Sequence, residues 1–329
     1  MANLTARAVP RCWLKMDSAP YVSRPPRPVV SVVMPVYNGA DTVCEAAQSI
    51  LEDGFGDIEL LVVNDGSSDD SADRLRRMRD PRLKLIDLPQ NKGLPKALNA
   101  GLEAAQGRYV ARMDADDISM PGRFAAQLYA FRNEPQLVLC GTNVRILQDG
   151  GQADERMHDC PSDPEDVRQE LWFRTPMLHP TIMIDRARIP EHAIYYLDTL
   201  RVRQDQELFL RLLEFGEARN LSETYVVYRR HEGAVTISKA DLQRACRKEV
   251  IGKALTQRGI IYTRDELEAH STLCPLLPGE VPQSHQSPER IAAWSDRLYD
   301  HRRRLGVRDD SRWQARLDAL MGRCVAGTA

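Results

Sequence analysis

Four apolar segments alternate with three segments of helical periodicity across residues 29–113. The predicted strands read VVSVVMP (29–35), IELLVVND (58–65), LKLIDL (83–88) and YVARM (109–113). The segments between them, residues 41–53, 68–80 and 94–107, repeat their apolar positions with the period of a helix. Continuous apolar runs such as the first are typical of strands that are buried on both faces. The alternation predicts an α/β fold with a parallel sheet and helices on both of its faces.

Each predicted strand is followed by a turn that is rich in hydrogen-bonding side chains. The four turns read PVYNGAD (35–41), NDGSSDD (64–70), PQNKG (89–93) and DADD (114–117). In an open parallel α/β sheet, ligands bind outside the carboxyl ends of the strands. We therefore expect the four turns to meet at one edge of the sheet and to form a binding site there.

The last of these turns places three carboxylates, Asp114, Asp116 and Asp117, within four positions. Such a cluster is often a solvated turn or a helix cap. Like charges this close repel one another, so either water screens them or a positive charge lies between them. Mn²⁺ and Mg²⁺ prefer oxygen ligands and bind carboxylates together with substrate phosphates. We predict an extended segment here, in which Asp114 and Asp116 point the same way.

Several classes of protein are excluded by what the sequence lacks. It has no GxGxxG motif after the first strand and no GxxxxGKS or GxxxxGKT motif, which argues against a Rossmann dehydrogenase or a P-loop enzyme. The formal net charge of −2 gives no basic field for nucleic acid. No apolar run reaches the roughly 18 residues of a membrane helix, and the N-terminus has no secretory signal. We therefore expect a cytoplasmic protein that does not bind nucleic acid.

Four segments resemble successive blocks of the inverting family 2 glycosyltransferases, which have the GT-A fold. They read SVVMPVYNGADTVCEAAQSIL (31–51), ELLVVNDGSSDDSADRL (59–75), NKGLPKALNAGL (91–102) and GRYVARMDADDISMPGRF (107–124). The resemblance implies a mostly parallel Rossmann-like sheet flanked by helices. It also implies transfer of a sugar from a nucleotide diphosphate donor, most often a UDP-sugar, to a hydroxyl of a glycan or lipid-linked acceptor.

The resemblance assigns roles to the residues of the four turns. The nucleotide pocket is expected to be lined by Pro35, Val36, Tyr37 and Asn38. Asp65 is expected to hydrogen-bond the base, most often uracil, with Lys92 and Gly93 close to the same pocket. The family's DXD motif corresponds to Asp114, Ala115 and Asp116, with Asp114 near the ribose and Asp116 on a divalent metal, Mn or Mg.

Three segments of the second half also resemble the family. RQDQELFLRL (203–212) resembles the segment of the catalytic base, which implies that Asp205 takes the proton of the acceptor hydroxyl. An acid in the first turn of a helix is also favoured by the helix dipole alone. The family usually has Glu where this chain has Gln204, so Glu207 is a second candidate. HPTIMIDR (179–186) resembles an acceptor-side segment, and YRRHEGAVT (228–236) resembles a closing segment in which His231 reaches the metal or the diphosphate.

We predict three parts along the chain. Residues 1–28 form a flexible lead-in, because SRPPRP (23–28) resists both helix and sheet. Residues 29–238 form the glycosyltransferase domain, with a nucleotide-binding half (29–117) and an acceptor half (118–238). Residues 239–329 form a helical C-terminal extension. Capping boxes are predicted for two helices, at Thr42 with Glu45 and at Thr263 with Glu266.

Two other functions stay open on the sequence. A sugar-1-phosphate nucleotidyltransferase would carry a Gly-rich loop with Arg or Lys after the first strand, and PVYNGADT is not such a loop. A non-catalytic nucleotide-sugar-binding protein would not need Asp114, Asp116 and Asp205 together. Acceptors of this family are often glycans on lipid carriers, which implies peripheral contact with the cytoplasmic face of the inner membrane.

Overall fold

The computed structural model describes residues 27–148, 153–158, 160–230, 240–274, 286–304 and 311–326. The predicted N-terminal lead-in therefore lies almost entirely outside the described residues. The strands of the described part are β1 (Val30–Val36), β2 (Ile58–Asn64), β3 (Leu83–Asp87), β4 (Tyr109–Arg112), β5 (Ile118–Ser119), β6 (Leu137–Gln148), β7 (Ala153–His158), β8 (Met183–Asp185) and β9 (Glu217–Arg230).

Ten α-helices accompany these strands within the described ranges. They are α1 (Val43–Leu51), α2 (Ser71–Arg77), α3 (Leu94–Ala104), α4 (Arg123–Asn133), α5 (Pro164–Glu170), α6 (Gln204–Leu212), α7 (Ala240–Gln257), α8 (Arg264–Leu273), α9 (Pro288–Arg304) and α10 (Ser311–Ala326). None of the described helices has the length and apolar character needed to cross a bilayer.

All nine described strands form one mixed sheet. Its order is β3-β2-β1-β4-β8-β6-β9-β5, with β7 paired to β6. The first four strands are parallel, and Val30 lies opposite both Ile58 of β2 and Tyr109 of β4. This confirms the predicted α/β fold and its parallel first half. The strands of the second half add antiparallel pairs, because β8 runs antiparallel to both β4 and β6.

The strands β1 and β2 are apolar throughout because both faces of the sheet are buried. Val33 and Leu61 face one core, which they share with Leu98 of α3. Val32 and Leu60, one position earlier, face a second core on the other side of the sheet. This second core also contains the inner faces of α1 and α4. The alternation fixes the strand register, and with it the edge at which the turns after the strands lie.

The two predicted capping boxes have different outcomes. Thr263 and Glu266 form one at the start of α8, as predicted. Thr42 and Glu45 do not, so that prediction was wrong. The Thr42 hydroxyl instead donates to the carbonyl oxygen of Ala115 at 2.9 Å, and Glu45 forms an ion pair with Arg229 at 2.5 Å. Tertiary partners from the turn after β4 and from β9 therefore replace the local cap.

The helix α7 contributes to two hydrophobic cores. Cys246, Val250 and Ala254 pack into the core that contains α3 and α6. Ile251 and Leu255 pack into a third core, together with Trp294 of α9 and Trp313 of α10. The helical extension therefore packs directly against the acceptor half of the sheet domain. The predicted boundary at residue 238 lies outside the described residues.

Candidate active site

The turns after β2 and β3 are held together by Asp65. One carboxylate oxygen of Asp65 accepts the backbone N–H of Lys92 at 2.7 Å, and the other accepts that of Gly93 at 2.9 Å. Gly66 allows this approach, since its φ is +68° and an added Cβ would lie 2.4 Å from the carbonyl carbon of Gln90. The structure therefore brings Asp65, Lys92 and Gly93 together at the predicted edge.

The turn after β1 joins the same edge through Asn38. Its side-chain oxygen accepts the backbone N–H of Ser68 at 2.8 Å, and its own N–H donates to the Ser67 hydroxyl at 2.9 Å. The bond from Thr42 to Ala115 connects this turn to the one after β4. The predicted meeting of the four turns is confirmed.

The four residues expected to line the nucleotide pocket fall into two pairs. Tyr37 and Asn38 are exposed, and the Tyr37 side chain is 52% accessible although it is aromatic. Pro35 and Val36 are buried at the end of β1, where the Val36 carbonyl accepts the N–H of Asp65 at 2.8 Å. Direct side-chain contact with a ligand is therefore available to Tyr37 and Asn38, while Pro35 and Val36 support the turn.

The three acids after β4 lie in a turn, so the predicted extended segment was wrong. The strand ends at Arg112, and the N–H of Asp117 points to the carbonyl oxygen of Asp114 at 3.5 Å. Asp114, Asp116 and Asp117 each offer one oxygen within 4.8 Å of the others. The turn adds Asp117 to the pair that strand alternation alone would bring together.

A buried positive charge lies directly beside this cluster. The guanidinium of Arg112 donates to both carboxylate oxygens of Asp114. Burial raises the pKa of Asp114, Arg112 opposes that rise, and the neighbouring Asp116 adds to it. Sequence reasoning missed this partner, although side chains two positions apart at the end of a strand lie on the same side. Part of the positive charge that the cluster needs is therefore built into the chain.

Asp117 connects the acidic turn to the last strand. Its side chain is 1% exposed, and one oxygen accepts the backbone N–H of Arg229 in β9 at 2.9 Å. The other oxygen is buried and has no hydrogen-bond partner among the described residues. Burial and the nearby charges of Asp114 and Asp116 raise the pKa of Asp117 well above its usual value. His231, which follows β9, lies outside the described residues.

Asp205 lies in the first turn of α6, as predicted, and one of its oxygens accepts the backbone N–H of Gln206 at 2.8 Å. Burial raises the pKa of Asp205, opposed by that N–H and by the charges of Arg203 and Arg112. The charge of Asp205 in turn raises the pKa of Asp114. Asp205 therefore belongs to the same electrostatic neighbourhood as the acidic turn.

The second candidate base is already engaged. Glu207 forms an ion pair with Arg211 at 2.6 Å, and Arg211 also donates to the backbone carbonyl of Tyr195. Gln204, which stands where the family usually has Glu, is buried, and its side-chain oxygen has no hydrogen-bond partner among the described residues. The geometry thus favours Asp205 over Glu207 as a proton acceptor.

His179 is part of a buried polar group on the acceptor side. Its Nε2 lies 2.8 Å from the hydroxyl of Tyr196. Burial and the charge of Arg112 hold the pKa of His179 well below its usual value, so the imidazole is neutral. Burial, with a contribution from Asp205, raises the pKa of Tyr196, so its hydroxyl stays protonated. These two side chains extend the site from Arg112 toward the acceptor half.

The chain is similar to a protein-family model and to several known proteins. The family model described as "Glycosyl transferase family 2" matches residues 31–190. A putative teichuronic acid biosynthesis glycosyltransferase of Bacillus subtilis is 30% identical over 218 residues, which are 65% of this chain and 83% of that protein. An Escherichia coli enzyme named UDP-Glc:alpha-D-GlcNAc-diphosphoundecaprenol beta-1,3-glucosyltransferase is 27% identical over 213 residues, 64% of this chain and 81% of that protein.

Among solved structures, a mannosyltransferase of Pyrobaculum calidifontis in complex with GDP-Man and Mn²⁺ has a similar fold. The TM-score is 0.53 at 17% identity, and the match covers 91% of this chain and 86% of that one. At this identity the likeness shows the fold alone. The chain belongs to glycosyltransferase family 2, whose members are transferases that use nucleotide-sugar donors, and it has the GT-A fold.

Proposed function

We propose that this protein is an inverting glycosyltransferase that moves a sugar from a UDP-sugar to a hydroxyl of a glycan or lipid-linked acceptor. The observation that carries the proposal is the arrangement of carboxylates around Arg112. Asp114 is bonded to Arg112, and the charge of Arg112 also lowers the pKa of Asp205. One carboxylate thus lies at the nucleotide edge and the other at the acceptor side. Membership in a sugar-transferring family favours this reaction over nucleotidyl transfer.

The donor is placed by the turns after β1, β2 and β4. Tyr37 offers an exposed ring at the edge, and Asp65, which accepts the N–H groups of Lys92 and Gly93, is the proposed partner of the base. Each carboxylate oxygen has two lone pairs, so Asp65 can still accept a hydrogen bond from uracil. Asp114, held by Arg112, faces the ribose. The Escherichia coli relative is named for UDP-Glc, which supports a uridine donor.

The acidic turn fits a divalent metal, Mn²⁺ or Mg²⁺. Hard cations take carboxylate oxygens, and three such oxygens lie within 4.8 Å of one another. The buried, unpartnered oxygen of Asp117 points to the same need for a cation. Asp116 would hold the ion, with Asp117 as a further ligand. When bound, the ion offsets the charge of the leaving diphosphate as a Lewis acid.

Transfer depends on Asp205. Its carboxylate takes the proton of the acceptor hydroxyl while that oxygen forms a bond to the anomeric carbon. The bond from this carbon to the diphosphate oxygen breaks on the opposite face, and a single displacement inverts the configuration. Burial raises the pKa of Asp205, which makes it a better proton acceptor than an exposed aspartate once it is ionised.

The acceptor is proposed from the relatives. The Escherichia coli relative is named for a diphosphoundecaprenol substrate, and the Bacillus subtilis relative for teichuronic acid biosynthesis. A lipid-linked glycan of the cell envelope is therefore the acceptor class that we propose. Transfer of a sugar to such a lipid-linked acceptor would take place at the cytoplasmic face of the membrane, so we propose that this protein binds there as a peripheral protein.

Asp205→Asn tests this function, because the amide keeps the shape of the side chain but cannot take a proton. We expect transfer to fall by roughly 10²–10⁴-fold, while the affinity for UDP and Mn²⁺ stays within a factor of about two of wild type, since Asp205 lies outside the nucleotide turns. Released UDP and glycosylated acceptor are measured with a set of UDP-sugars. Wild-type turnover in the Asn variant would rule out Asp205 as the base. If none of the UDP-sugars gives UDP release with the wild-type protein, the proposed transferase activity is rejected.

A further inference from the structure

Arg203, the residue before α6, connects the C-terminal extension to the segment that carries Asp205. Its φ of +59° and ψ of 17° are left-handed, a conformation that residues with a Cβ seldom adopt. The side chain is 9% exposed. Its Nε donates to the backbone carbonyl of Gln243 in α7 at 3.1 Å, and an Nη donates to the side-chain oxygen of Gln206 at 3.0 Å.

Gln206 extends this connection in two directions. Its side-chain nitrogen donates to the carbonyl oxygen of Leu171, just after α5, at 3.0 Å. Its backbone N–H donates to Asp205 at 2.8 Å. The first turn of α6 is therefore held between α7 on one side and the end of α5 on the other, with Arg203 as the bond to α7.

The extension is attached to the sheet domain at a second place, away from α6. Arg316 of α10 forms ion pairs with Glu170 at 2.7 Å and Asp166 at 3.3 Å, both on α5. His270 of α8 binds the carbonyl oxygen of Trp172 at 2.9 Å. These contacts fasten the extension without touching the first turn of α6, which makes Arg316 a matched comparison for Arg203.

We propose that the C-terminal extension positions the catalytic base, and that Arg203 is the positioning residue through which α7 holds the first turn of α6. This rests on the proposed role of Asp205. A left-handed arginine whose guanidinium is committed to two buried acceptors is a costly way to begin a helix. The arrangement gives the extension a part in the reaction, because displacing a reacting group by about 1 Å can cost 10²-fold in rate.

Arg203 also contributes charge. Asp205 is faced by Arg203 from its own segment, by Arg112 from β4, by Asp114 from the acidic turn, and by Tyr196. The positive charge of Arg203 lowers the pKa of Asp205 against the effect of burial. Removing that charge moves the acidic limb of the transfer rate to higher pH, because Asp205 must be ionised to accept a proton.

Three variants of the full-length chain test the proposal. Arg203→Gly keeps the left-handed backbone and removes the guanidinium. Arg203→Lys keeps the positive charge but loses the guanidinium that donates to Gln243 and Gln206 at the same time. Arg316→Ala loosens the extension at its other attachment. Transfer kcat, donor KM, the pH profile of kcat and the melting temperature are measured for each, with rates taken well below the lowest melting temperature.

We expect Arg203→Gly to lower kcat by up to about 10²-fold, to leave donor KM unchanged, and to move the acidic limb to higher pH. Arg203→Lys is expected to have the acidic limb of the pH profile at its wild-type position and to recover part of the kcat that Arg203→Gly loses. Arg316→Ala lowers the melting temperature but keeps kcat and the pH profile of wild type. Wild-type kcat and pH profile in Arg203→Gly overturn the proposal, and so does an equal loss of kcat in Arg316→Ala.

The Asp205→Asn variant tests the proposed function separately from the positioning role of Arg203. If that variant is inactive and Arg203→Gly is fully active, Asp205 is the base and Arg203 does not position it. If Asp205→Asn is fully active, the proposed base is wrong. An acidic limb that moves in Arg203→Gly would then report another group near Arg203, and the positioning of Asp205 is overturned as well.

Discussion

The guanidinium of Arg112 donates to both carboxylate oxygens of Asp114, two positions further along the chain. Arg112 is buried at the end of β4, and its charge acts on the pKa of Asp114, of Asp117 and of Asp205. One side chain thus serves as the internal counter-ion for carboxylates of both halves of the site. The proposed metal ion would be held by Asp116 and Asp117 of the same turn.

The first prediction concerns this counter-ion. Arg112→Gln leaves the half-buried Asp114 beside like charges without its partner, and breaking an ion pair of this kind costs up to about 3–5 kcal/mol when both groups are fully buried. We expect the free energy of unfolding in urea to fall by this order and UDP binding to weaken. Arg112→Lys keeps the charge but makes a single contact, so its loss should be smaller. Equal unfolding free energies for the Gln variant and wild type would contradict the role of Arg112.

A second prediction uses Gly66, on which the approach of the turns after β2 and β3 depends. A Cβ at this position would lie 2.4 Å from the carbonyl carbon of Gln90, and the φ of +68° disfavours any other residue. We expect Gly66→Ala to cost roughly 1–3 kcal/mol in unfolding free energy and to weaken UDP binding measured by calorimetry.

Gly54 is the matched control for Gly66. Its φ is +95°, and an added Cβ would have nothing within 4 Å. Gly54→Ala therefore carries only the backbone cost and should leave UDP affinity unchanged. A donor affinity that falls equally in both variants would show that the contact with Gln90 is irrelevant to the site.

The third prediction concerns the metal. Ligands that bind only the folded state raise the melting temperature by mass action. We expect UDP with Mn²⁺ to raise it more than UDP alone, and a chelator to remove the difference. Asp116→Asn should abolish the Mn²⁺-dependent part, whereas Asp296→Asn, an exposed position on α9, should keep it. An unchanged Mn²⁺ effect in Asp116→Asn would move the metal to other ligands.

The fourth prediction is a pH dependence of stability. The Nε2 of His270 lies 2.9 Å from the carbonyl oxygen of Trp172, and its Nδ1 accepts the indole N–H of Trp294 at 3.1 Å. This arrangement needs the neutral imidazole, and burial lowers the pKa of His270 from 6.5 to about 4. In the unfolded chain the imidazole takes up a proton near its ordinary pKa, so unfolding is favoured as the pH falls from 6.5 toward 4.

We therefore expect His270 to account for a loss of roughly 2 kcal/mol in unfolding free energy between pH 8 and pH 5. His270→Gln should be less stable at the higher pH but should lose less on acidification. His192→Gln, at an exposed position, should follow wild type. If the Gln variant at position 270 loses as much as wild type, the imidazole is not the group responsible.

The parallel half of the sheet was predictable because its strands are buried on both faces and so read as unbroken apolar runs. The second half was not predictable in the same detail. β5 and β8 have two and three residues, too few to show a period, and their direction is decided by the strands beside them. The antiparallel directions of these two short strands therefore came only from the structure.

The candidate site likewise has features that could be predicted from the sequence and features that could not. Turns after strands are set by local sequence, so the meeting of Asn38, Asp65 and Asp114 at one edge could be predicted. The partners of these residues depend on packing across the fold. The guanidinium of Arg203 donates to a carbonyl 40 residues further along the chain, and no local pattern marks a buried backbone acceptor of that kind.

The two-faced helix α7 bears on how this chain can be recombined with its relatives. Its inner positions, Cys246, Val250 and Ala254, complete the core beneath α6, while Ile251 and Leu255 complete the core of the extension. A chimera joined in front of α7 would replace these three residues of the sheet-domain core together with the core of the extension. The unit that can be swapped between relatives therefore begins after α7, at the turn before α8, and the inner face of α7 has to remain with the sheet that it covers.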